Sequence, residues 1–74
     1  MTDRPPVTDR ELADALVSML GADYCYRQLG AVASGLRVHG STRRALRRRG
    51  LVDGDGLTAL GWLVLDVARA EVRS

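Results

Sequence analysis

Lysine, phenylalanine, isoleucine and asparagine are all absent from this chain of 74 residues. Each is encoded by AT-rich codons, so their joint absence reflects a GC-rich coding bias, and the lysine-free surface carries no functional message of its own. Cysteine occurs once, as Cys25, which excludes an internal disulfide. No cysteine–histidine cluster has the spacing of a structural metal site. No apolar run approaches the ~20 residues of a membrane span, and Met1-Thr2-Asp3-Arg4 lacks the apolar core of a signal peptide. These absences predict a soluble cytoplasmic protein with no membrane partner. Catalytic constellations are missing as well. No Ser/His/Asp or Cys/His pairing is suggested, no phosphate loop is present, and the carboxylates are scattered over turns and helix ends. Neither an enzyme nor a cofactor is expected. The length admits one domain, placed at 8–74 behind a flexible lead-in at 1–7 that contains Pro5-Pro6. A chain this short buries only about 60 % of its unfolded surface, so an apolar core must hold it, completed where needed by a second copy.

Charge is distributed more informatively than it is composed. The 11 basic residues, all arginine, stand against 9 acids for a net charge of +2. Residues 1–36 carry three arginines and five acids, and residues 50–74 carry two and four. Between them, residues 37–49 carry six arginines and no acid. The positive potential is thus concentrated in a 13-residue window.

Periodicity predicts a mainly helical chain with a small β-hairpin. Thr8 and Glu11 have capping-box spacing, Val7 and Leu12 are placed for a hydrophobic staple, and Gly21 supplies a stop, giving a helix over 9–20. Asp23 can cap a second helix over 24–34, ending at Ser34-Gly35. Gly30 inside it costs roughly 1 kcal/mol relative to alanine, and could permit a close helix crossing. A third helix over 41–49 places Thr42, Ala45, Leu46 and the stem of Arg49 on one side. Arg43, Arg44, Arg47 and Arg48 fall on the other, and Gly50 terminates it. Leu51-Val52 and Leu57-Thr58, flanking Asp53-Gly54-Asp55-Gly56, read as strands at 51–52 and 57–58. A calcium loop beginning at Asp53 is excluded because its twelfth position is Val64 rather than glutamate. Thr58 caps a last helix over 59–72. That helix has one apolar face of Leu60, Leu63, Val64 and Val67, and a second of Trp62, Leu65 and Val72 that suits a partner.

This order of parts resembles the winged helix-turn-helix regulators of bacteria and phages, the MarR-like ones in particular. The resemblance rests on Leu29, on the run from Ser41-Thr42-Arg43-Arg44 through Arg47-Arg48-Arg49-Gly50-Leu51-Val52, and on Leu57-Thr58-Ala59-Leu60-Gly61. It implies a DNA-binding transcriptional regulator whose helix at 41–49 lies in the major groove of double-stranded DNA. Ser41, Thr42, Arg43 and Arg44 would sit near base edges and Arg47 and Arg48 near phosphates, with Arg37, His39, Tyr26 and Arg27 as further candidates. The turn at 53–56 carries aspartates, so it is not expected to enter the minor groove. Trp62, Leu65, Arg69 and Val72 are the candidate interface for a homodimer or another protein. The alternative is a non-enzymatic protein-interaction module on the same scaffold, such as a phage factor docking on a host protein and working in the host cytoplasm. Cys25 is expected to be a small buried hydrophobe.

Overall fold

The computed structural model describes residues 8–54 and 56–73. The expected lead-in at 1–7, including the Val7 arm of the staple, lies outside the described residues, as does Asp55 of the turn. Helix α1 spans Asp9–Leu20, its first turn closed by the Glu11 N–H donating to Thr8 Oγ1 at 3.1 Å. Asp9 and Glu11 place negative charge at its positive end. Helix α2 spans Ala22–Ala33 and starts earlier than the position of Asp23 suggests. The cause is Gly21, which ends α1 and begins α2 in a single residue at φ +96°. An L side chain rarely adopts that angle. Asp23 therefore sits in the first turn of α2 rather than at its cap, and pairs with Arg27 at 3.3 Å.

Both of the next two helix ends use the same device. After α2, Leu36 N–H reaches Ala31 O at 2.8 Å and Gly35 N–H reaches Val32 O at 3.1 Å, a Schellman motif. After α3 (Gly40–Arg48), Leu51 N–H bonds Leu46 O at 3.0 Å and Gly50 N–H bonds Arg47 O at 3.0 Å. Leu46 and Leu51 are both buried, supplying the apolar contact that goes with this motif. The turn between α2 and α3 is pinned to the core by Val38, which is buried.

Strands β1 (Val52–Asp53) and β2 (Gly56–Leu57) pair antiparallel with Val52 opposite Leu57 and Asp53 opposite Gly56. The ladder lies one residue nearer the turn than expected, and Gly54 at φ +61° lets the chain turn directly after Asp53. Helix α4 (Ala59–Arg73) packs against both α1 and α2 and is the centre of the molecule. Because two helices cover it, its buried arc is wide: Gly61, Val64, Leu65, Val67 and Ala68. Leu65, 3 % exposed, is therefore a core residue and does not stand on the outer face with Trp62 and Val72. Cys25 lies in the core, where burial pushes its thiol pKa above the usual value. No described helix is long and apolar enough to cross a membrane.

Candidate nucleic-acid interface

Helix α3 is held by little of its own surface. Leu46 is its only buried residue, and the helix lies against β1. Thr42 and Arg43 are half-buried and its other positions are exposed. Its N-terminus is capped by His39, whose Nδ1 accepts the Ser41 N–H at 3.3 Å and lies 2.9 Å from the Ser41 hydroxyl. His39 thus has a local structural task, and Ser41 Oγ is already occupied by it.

At 100° per residue, Arg43, Arg47, Arg44 and Arg48 follow one another around the helix in a single sector of about 140°. Within that sector they are not equivalent. Arg43 is half-buried, and its guanidinium donates to the Gly54 carbonyl at 2.7 Å, tying α3 to the hairpin turn. Arg44, Arg47 and Arg48 are exposed. Gly40, Arg43, Arg44 and Arg47 line a shallow depression of about 160 Å³ at the start of the helix. Arg48 and Arg49 instead line an opening toward α1, against Leu12, Leu16 and Ala45. Arg49, whose stem the helical wheel assigns to the core side, is the C-cap residue of α3 and is exposed, so it adds to the basic surface. Thr42 is half-buried, and Arg37 is exposed in the turn before the helix.

The electrostatics of the face are unbalanced. Both ion pairs among the described residues, Arg10–Asp14 and Arg27–Asp23, join neighbouring turns of α1 or α2. Among the described residues, no arginine of the 37–49 window pairs with a carboxylate. The two remaining nucleic-acid candidates, Tyr26 and Arg27, are placed elsewhere. They line a groove between α2 and α4 together with Trp62, Leu65 and Arg69. Val72 is exposed near the end of α4. Among the described residues, no group of three or more His, Cys, Asp or Glu side chains could hold a metal ion. No protein-family model, curated protein or solved structure matches this chain.

Proposed function

We propose that the protein is a non-enzymatic, cytoplasmic DNA-binding regulator of transcription, folded as a winged helix-turn-helix with α3 in the major groove of double-stranded DNA. The observation that carries this reading is the exposed guanidinium surface of α3. Arg44, Arg47 and Arg48 project from one short helix and Arg49 from its C-cap, with no carboxylate partner among the described residues. Such a surface repels itself, and it is matched by the phosphates of a duplex. An α-helix with its side chains is about 10–12 Å across, which matches a major groove about 12 Å wide. Arginine can hold guanine O6 and N7, or a phosphate, through two parallel hydrogen bonds. Arg43 has a different part in this reading: it fixes the hairpin beside the helix, and the remaining arginines make the contacts. The hairpin supplies the exposed Asp53 and no cation, so affinity rests on α3.

Fluorescence anisotropy of the chain with a labelled duplex, repeated across a salt series, tests the reading. With four arginines engaged, log K should fall against log salt with a slope of about −4. Arg47→Ala should make that slope shallower by about one. Absence of binding at low salt, or undiminished binding by the Arg44→Glu plus Arg47→Glu variant, would exclude it.

A further inference from the structure

The groove between α2 and α4 has no part in the arginine face, and none of the residues lining it belongs to α3. Its volume is about 410 Å³. Gly30, Ala31, Tyr26, Trp62 and Arg69 are among the residues that line it. Trp62, the sole tryptophan of the chain, is 53 % exposed, and Tyr26 is 40 % exposed. Large aromatic side chains left half in water beside a groove mark a surface built for contact.

Gly30 sharpens the argument. It occupies the middle of α2, where glycine is the least favourable residue other than proline. A Cβ at this position would meet nothing within 4 Å. The expectation of a close helix crossing at Gly30 is therefore not met, and nothing in the single chain requires a missing side chain there. Gly61 behaves in the opposite way, since a Cβ on it would run into the Leu51 carbonyl. The space above Gly30 opens into the groove, where a side chain of another molecule can reach it.

Charge favours a particular occupant. The outer face of α4 carries Asp66 and Arg69 near Trp62, and α2 carries the Asp23–Arg27 pair beside Tyr26. Those two acids and two bases leave the patch neutral, with both signs present for pairing across a symmetric contact. The α3 surface, by contrast, would repel its own copy. The projecting indole and the empty position also belong to the same patch, which is the requirement for an isologous interface, where each copy offers the other the same surface.

We propose that this groove is the self-association surface of the protein: in a two-fold pair, the Trp62 indole of each protomer fills the space above Gly30 of its partner. Tyr26 completes the apolar contact, and Arg69 and Asp66 form its charged border. The pairing leaves both α3 helices outside the interface. It does not rest on the DNA reading, and it is measured without nucleic acid.

Analytical ultracentrifugation of the full chain across the micromolar range tests it, with Trp62 emission followed over the same range. The mass should rise to twice the 8.0 kDa of one chain, and the emission should shift to the blue as the indole leaves water. Gly30→Leu fills the gap and Trp62→Ala removes the side chain that occupies it. Each should weaken association at least about tenfold. Circular dichroism checks that both variants remain folded. Gly30→Ala provides a second arm that cannot be ascribed to unfolding, because it should raise the thermal midpoint of the monomer while weakening the pair. A chain that stays monomeric throughout overturns the proposal and leaves the groove to a different protein. A dimer whose mass is indifferent to both Gly30→Leu and Trp62→Ala overturns it equally.

Discussion

At the scale of single residues, the two helix-interior glycines separate packing from propensity. Gly61 lies in the first turn of α4, where a Cβ would run into the carbonyl of Leu51. A methyl group there meets backbone, which cannot rotate away as a side chain could. Gly61→Ala should therefore destabilise the fold by about 2–3 kcal/mol, despite alanine's better helix propensity. Gly30→Ala meets open space and should stabilise the monomer by about 0.5–1 kcal/mol. Urea unfolding of both variants decides the point. Equal effects of the same sign would show that packing at Leu51 is not what distinguishes them. Neither outcome is legible in the sequence, where both residues are glycines in helical segments, because the neighbour of Gly61 lies ten positions away in the chain.

At the scale of elements, legibility follows the range of the interactions that set each boundary. Helix α1 has the limits expected from sequence, because Thr8, Glu11 and Gly21 act within a turn of the helix ends. Helix α2 begins two residues before the expected position, because Gly21 serves two helices at once. Leu65 and Val38 are buried by partners remote in sequence, which no helical wheel contains. The arginine face of α3 was legible as a run of charge, but the bond from Arg43 to Gly54 was not, since it joins separate elements. Thr58 binds three such parts together. Its hydroxyl donates to Gly50 O at 2.6 Å and accepts the Gly61 N–H at 3.0 Å, and its own N–H donates to Leu51 O at 3.1 Å. The end of α3, the hairpin and the start of α4 thus meet at one side chain. Thr58→Val keeps the shape and removes the hydroxyl, so it should cost about 1–2 kcal/mol. Amide exchange should accelerate at Gly61 in this variant. A stability unchanged within about 0.3 kcal/mol would show that the cap and the strap are redundant.

At the scale of the whole molecule, the core and the charged surface are divided between different elements. Helix α4 is enclosed by α1 and α2, while α3 and the hairpin attach at the side through Leu46, Leu51 and Val52. Cys25, fully buried on α2, reports on the first of these groups. Its thiol can meet a reagent only when α2 leaves the core, and burial also raises its pKa, which depletes the reactive thiolate. Labelling by an aromatic disulfide should therefore be slowed by about 10³-fold or more relative to the chain in urea, in step with the free energy of global opening. The same shift gives the pH dependence of stability its sign. Below the ordinary thiol pKa of 9.0, both the folded and the unfolded states hold the proton. As pH rises past that value the unfolded thiol ionises first, so the contribution of Cys25 falls with increasing pH. Cys25→Ala should remove this alkaline loss, although it lowers stability at neutral pH through the cavity it leaves. Rapid labelling of the native chain at neutral pH, with no loss of helical signal, would mean that α2 opens by itself. In that case the groove between α2 and α4 would not be a preformed surface.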